Sequence, residues 1–164
     1  MGRIYSVPLN ATYTAAGTNT DLWSIQAADD KPVKILGFIL GQTSEVGDAA
    51  EEGVRITMLY LPATFTVGSG GSAVTAVRPI NDIGGAVWGA TIRTNDTTVA
   101  TTSGTSFTIL DLGWNERASP YEFWFPEPRM CPPVVQTAGI VIRAETTIAD
   151  DLTFDGTCFI EEEG

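Results

Sequence analysis

Val33-Lys34-Ile35-Leu36-Gly37-Phe38-Ile39-Leu40-Gly41-Gln42 is the stretch on which the fold turns. Val33, Ile35, Gly37 and Ile39 alternate with Leu36, Phe38 and Leu40, so a strand laid here is apolar on both faces. Such a strand is expected between two layers or between two subunits. Its apolar run, Ile35 to Leu40, is far too short to span a bilayer.

Working outward, Asp29-Asp30-Lys31-Pro32 makes a sharp loop before this strand. The preceding segment, Asp21 to Ala28, puts Trp23, Ile25 and Ala27 on one face. Arg3 to Tyr13 alternates loosely and dissolves into Thr14-Ala15-Ala16-Gly17-Thr18-Asn19-Thr20. It reads as an extended N-terminal arm (residues 1–20) attached to one domain (21–164), with Arg3, Ile4, Tyr5, Val7 and Leu9 reaching a neighbour.

Downstream, Thr43 to Gly53 is a surface loop rich in acids, with room for one helical turn over Asp48 to Glu52. Val54 to Leu61 is a strand ended by Pro62. The stretch from Gly68 through Gly85 holds too much Gly, Pro and Asp for long regular structure and is expected as an ordered loop. Ala86 to Thr91 and Phe107 to Trp114 read as strands around a Thr-rich connection, Thr94 to Ser106. Tyr121, Phe123 and Phe125 share one side of a strand that Pro126, Pro128, Pro132 and Pro133 confine to an edge or corner. Gly139 to Glu145 and Leu152 to Glu161 close the chain as two strands, with Cys158 in phase with Leu152, Phe154 and Ile160. No long stretch keeps helical spacing. The expected fold is all-β: an antiparallel β-sandwich of jelly-roll type with eight or nine strands. An immunoglobulin-like sandwich is the alternative, weakened because no Trp lies between Cys131 and Cys158.

The 164 residues are 43% hydrophobic and 18% charged, which suits one globular domain with a sizeable core. Twenty acidic against nine basic side chains leave a net charge of −11, which opposes contact with nucleic acid or anionic lipid. That charge serves solubility, or matching to a basic partner face. Nothing at the N-terminus resembles a secretion signal, so synthesis in a reducing cytoplasm with free thiols is expected, a Cys131–Cys158 disulfide being the lesser alternative.

The chain has no histidine, which excludes catalytic triads built on imidazole. Gly68-Ser69-Gly70-Gly71-Ser72 lacks the Lys and the following helix of a phosphate loop. The pairs Asp29–Asp30, Glu51–Glu52 and Asp150–Asp151 read as solvated loop charge rather than a Ca²⁺ site or a glycosidase dyad. Asn10-Ala11-Thr12 and Asn95-Asp96-Thr97 match glycosylation sequons by chance in a Thr-rich chain. Trp88, Trp114 and Trp124 suit core or interface anchoring, and alternatively a sugar-stacking platform. No catalytic residue, cofactor or metal ligand is expected.

Several segments, taken in order, resemble a group of tailed-bacteriophage virion proteins encoded among head genes. They are Met1-Gly2-Arg3-Ile4-Tyr5, Ala28-Asp29-Asp30-Lys31-Pro32-Val33 and Gly41 through Glu52; then Gly68 through Ser72, Arg78-Pro79-Ile80-Asn81, Asn95-Asp96-Thr97-Thr98, Asn115-Glu116-Arg117, Pro126-Glu127-Pro128-Arg129, and the end from Ala149 to Glu162. The resemblance implies a capsid decoration (cement) protein: a jelly-roll subunit, typically trimeric, on the outer face of a head built from a separate major capsid protein. The chain departs from that pattern at Met130-Cys131-Pro132-Pro133 and Met58-Leu59-Tyr60-Leu61, which leaves the partner-facing surface open. On this reading Leu36, Phe38, Tyr121, Phe123 and Phe125 are expected at the subunit interface, and the partners are the phage major capsid protein and further copies of the chain. The competing reading is a carbohydrate-binding or host-adhesion module displaying Trp88, Trp114 or Trp124.

Overall fold

A computed structural model describes residues 2–14, 17, 19–44, 52–75, 77–118, 120–145 and 147–163. The strands are β1 (Arg3–Tyr13), β2 (Thr20–Gln26), β3 (Val33–Gln42), β4 (Gly53–Leu61), β5 (Phe65–Thr66), β6 (Ser72–Val74), β7 (Thr91–Asp96), β8 (Thr101–Thr102), β9 (Phe107–Asn115), β10 (Tyr121–Trp124), β11 (Pro133–Val134), β12 (Gly139–Ala144) and β13 (Leu152–Glu162). A single 3-10 turn spans Pro128–Met130, and no α-helix occurs among the described residues. Most of the helical turn expected at Asp48 to Glu52 lies outside them.

One sheet runs β1-β13-β3-β10, with β11 also on β3; the other runs β6-β7-β2-β12-β4-β9; β5 and β8 form a separate pair. Numbering β1, β2, β3, β4, β9, β10, β12 and β13 from first to eighth, the first sheet reads 1-8-3-6 and the second contains 2-7-4-5. All these pairs are antiparallel. This is the jelly-roll order. The strand total exceeds the expected eight or nine because residues 62–106, inserted between β4 and β9, contribute β5 to β8, and the two-residue β11 adds to β3. The Ala86 to Thr91 strand is corrected: that segment is irregular, and the strand begins at Thr91 and runs through Asp96. There Ile92, Thr94 and Asp96 are the buried positions.

The sandwich core takes Tyr5, Val7 and Leu9 from β1, Trp23 and Ile25 from β2, Ile140 and Ile142 from β12, and Phe154, Cys158 and Ile160 from β13. Burying one such side chain contributes about 1.5–3 kcal/mol. Gly156 lies beneath Trp23, where a Cβ would sit 2.4 Å from the Ile39 carbonyl oxygen and 3.2 Å from the indole. The Trp23 Nε1 donates to the Val7 carbonyl at 3.0 Å, tying one sheet to the other.

Two expectations about this core are corrected. The free N-terminal arm does not exist, because β1 pairs with β13 along its whole length, Arg3 with Glu162 through Tyr13 with Leu152. Tyr5, Val7, Leu9 and Tyr13 are buried, so the alternation that suggested an arm is the signature of a core strand. The two-sided character of β3 has a local cause as well. Phe159 pairs with Gly37 but Ile160 with Ile35, so Leu36 is an extra residue and the inward phase switches at that bulge. Val33, Ile35, Phe38 and Leu40 therefore all face the core, and Leu36 and Ile39 are half-buried outside it.

The strands covered on both faces are β2 and β12, where every position except Gln26 is buried. Their second face is covered by the chain's own insertion. Phe65, Ala100, Leu61 and Val141 form a satellite apolar cluster there, and the Phe65 ring lies on Gly139, where any Cβ would overlap it.

Candidate functional site

The sandwich has two lateral sides, and they differ. On the β1 side the loop 77–90 packs along the strand. Ile80 N–H donates to the Ile4 carbonyl at 2.7 Å, and the Asn81 side chain accepts from Ile4 N–H at 2.9 Å. Trp88 packs on Tyr5 with ring centroids 5.7 Å apart. Glu162, buried, accepts from Gly89 N–H at 2.7 Å. Since Ile4 turns its amide and carbonyl away from β13, so do Ser6, Pro8, Asn10 and Thr12. Pro8 has no N–H to offer there, which blunts the open middle of this edge.

On the opposite side the sheets end in β10 and β9. The aromatic residues expected at an interface gather here. Phe38 lies 6.1 Å from Tyr121 and 5.9 Å from Phe123 between ring centroids, and Phe123 meets Phe125 edge-on at 4.9 Å. Phe125 N–H donates to the Leu36 carbonyl at 3.1 Å. Phe38 is wholly buried, so it cannot contact another subunit in this conformation, and its role as an interface residue is corrected to core packing. Tyr121, Phe123 and Phe125 pack half-buried against that core.

The two edges on this side are unequal. β10 is four residues long and runs into Pro126, Pro128, Pro132 and Pro133; β6, at the far end of the six-stranded sheet, is three residues long. By contrast β9 is nine residues long, contains no Pro or Lys, and among the described residues pairs only with β4. Glu116 N–H donates to the Glu52 carbonyl at 3.2 Å, which sets the phase: Trp114, Leu112 and Leu110 point their backbone groups at β4. Asp111 and Gly113 point theirs outward. Asn115 does the same, though its carbonyl accepts from Ala118 N–H. On the side chains, Leu110 and Leu112 are half-buried, and Phe107 is 55% exposed and stacked on Tyr60 at 5.0 Å.

The charge on β9 is compensated. Asp111 receives two hydrogen bonds from Arg55, from Nε at 2.9 Å and Nη2 at 2.7 Å, and Arg55 also donates to Glu145 at 2.7 Å. That guanidinium holds the Asp111 carboxyl below the ordinary aspartate range. Arg3, Lys34, Arg93, Arg129 and Arg143 likewise sit in ion pairs. Much of the basic charge is thus engaged by acids, and the net surplus is acidic.

Among the described residues no three acidic or cysteine side chains converge on a point that could hold a metal ion. Cys131 and Cys158 are free and buried, and burial pushes both thiols up. The three-tryptophan platform is corrected. Trp88 and Trp114 are 7% and 3% exposed, and Trp124 alone is open, lying beside Phe159 at 4.9 Å on the outer face of the first sheet. A hollow of about 300 Å³ beside Trp88, lined by Val74, Ala90 and Ile92, is mostly apolar. The β9 edge was missed in the sequence reading, since strand length and alternation do not tell which strand ends a sheet.

No family model matches the chain, and no curated protein matches it. Among solved structures it overlaps the infectious bursal disease virus VP2 subviral particle at 18% identity and a TM-score of 0.22, over 97% of this chain and 41% of that one. The infectious bursal disease virus Gx strain gives 15% identity and a TM-score of 0.19, over 98% and 42%. The chain thus spans less than half the length of either. Likeness this slight carries no functional inference.

Proposed function

We propose that this chain is a non-enzymatic structural subunit of a bacteriophage virion, seated on the outer surface of the head. There it binds the major capsid protein as a homotrimer and stabilises the shell. The observation that supports this reading is the jelly-roll order of the eight main strands, an architecture used by viral capsid and lectin domains. It is joined by the ordered segments that resemble phage head proteins. A fold alone does not give a function, so the choice between those two uses rests on the surface. Trp88 and Trp114 are withdrawn into the core, which leaves a lectin reading with Trp124 alone of the three. Repetition over a capsid lattice would let modest individual contacts act together by avidity.

The test is to mix the purified protein with heads that lack it and sediment them. Saturable uptake onto heads, with higher resistance of the decorated heads to heat, is the expected result. No uptake, together with glycan binding abolished by Trp124→Ala, would replace this reading with the adhesion module.

A further inference from the structure

We infer that β9 is a homotypic docking edge: two copies join antiparallel through it about a two-fold axis at Leu112, making one continuous sheet. The outward hydrogen-bonding groups of β9 choose this partner. Asp111 and Gly113 each present an outward N–H and an outward C=O, and none of these four groups has a partner among the described residues. In the stated register Asp111 of each copy faces Gly113 of the other, and the two residues exchange both hydrogen bonds, once on each side of the axis. All eight groups are satisfied by this single arrangement.

Charge selects the same occupant. A chain of net charge −11 repels its own copies over most of its surface. Along β9 the sole charge is Asp111, already held by Arg55, and the register sets it opposite a glycine rather than a second carboxylate. At the axis Leu112 meets its symmetry mate as a closely spaced pair, removing half-exposed apolar surface from water.

The other edges do not compete for this role. β1 is capped by loop 77–90 and interrupted by Pro8, β10 is short and bounded by prolines, and β6 is three residues long. A long edge with no such guard is where strand addition occurs. Because a two-fold contact joins a patch to itself, the copies associate in even number. A trimer held by other surfaces would become a hexamer.

This inference does not rest on capsid binding, and the experiment separates the two. Light scattering on the free protein should give an even number of copies. Gly113→Pro should halve that mass while leaving the circular dichroism and a cooperative melt in place, because the N–H it removes points outward and a Cβ at Gly113 meets nothing within 4 Å. Amide exchange followed by NMR supplies a second reading on the unmodified protein. The Asp111 and Gly113 amides should be protected at high concentration and lose that protection on dilution. A monomer or bare trimer at high concentration, with those two amides exchanging as exposed ones, would overturn the inference, as would a folded Gly113→Pro variant of unchanged mass. Should Gly113→Pro fail to fold, the amide measurement decides. Head uptake is scored separately by sedimentation.

Discussion

Arg143 Nε donates to Asp21 Oδ1 at 2.6 Å on the face of the six-stranded sheet that points away from the sandwich core. The pairing of β12 with β2 slips by one residue between Ile142 and Arg143, so Trp23 stays inside while Asp21 turns outward. Asp21 Oδ2 then accepts from Ala100 N–H at 2.7 Å, and Arg143 Nη2 donates to the Ala100 carbonyl at 3.2 Å. A buried ion pair thus clamps the insertion onto the sheet. Removing one partner leaves a buried charge uncompensated, a cost of about 3–5 kcal/mol. Asp21→Ala should lower the urea midpoint accordingly, and the double variant Asp21→Leu/Arg143→Met should recover much of the loss. Equal stability of Asp21→Ala and the parent would show that the clamp is ornamental.

Phe65 tests the apolar half of the same clamp. Its ring occupies the space over Gly139, and its backbone N–H donates to the Thr137 carbonyl at 3.1 Å. Phe65→Ala should cost about 3 kcal/mol if the insertion unfolds together with the sandwich. If the insertion opens by itself, limited proteolysis will instead cut first within residues 62–71 or 97–106, leaving the global melting temperature nearly constant. Neither outcome occurring would mean that Phe65 contributes no packing.

Much of the fold was legible in the pattern of residues, and the failures have physical causes. Strands β4, β10 and β13 follow from alternation between turn residues, because burial on one face of a pleated strand imposes period two. Alternation is blind to bulges, and Leu36 is one; the added residue made β3 look two-faced when its inner side simply changes parity. It is equally blind to long-range pairing. Nothing local to Arg3–Tyr13 announces that Leu152–Glu162 will lie beside it, so a core strand was read as an arm. At the candidate surface the aromatic residues of β10 were visible, but the decisive feature is the unpaired backbone of β9. Backbone groups leave no mark in composition.

The two cysteines give a solution test of burial. Cys158 is fully buried on the inner face of β13, and removal from water holds its thiol far above the ordinary range. Cys131 is raised too, burial outweighing the opposing pull of the Lys34 ammonium. Thiolate is the reactive form. At pH 8 the native protein should therefore react negligibly with a thiol reagent such as dithionitrobenzoate, and in 6 M guanidinium it should release two equivalents per chain. Rapid labelling of the native form would show that the strands bearing these residues open readily.

Asp111 carries the pH dependence that can be assigned to the β9 surface. Its carboxyl is held below the usual aspartate value by the hydrogen bonds from Arg55. An acid whose folded-state value is depressed supports the fold above its unfolded value, near 3.9 for aspartate. That support is lost as pH falls through the lower folded value. The titration of Asp111, followed by the chemical shift of its side-chain carboxyl, should accordingly sit below that of an exposed aspartate. Arg55→Gln should move it upward to the ordinary value. Because Arg55 neutralises the one charge on β9, the same substitution should also weaken self-association at pH 7 and restore it partly near pH 4, where Asp111 protonates. An Asp111 titration unmoved by Arg55→Gln would mean that the bidentate contact does not persist in solution, and the pH dependence of association would go with it.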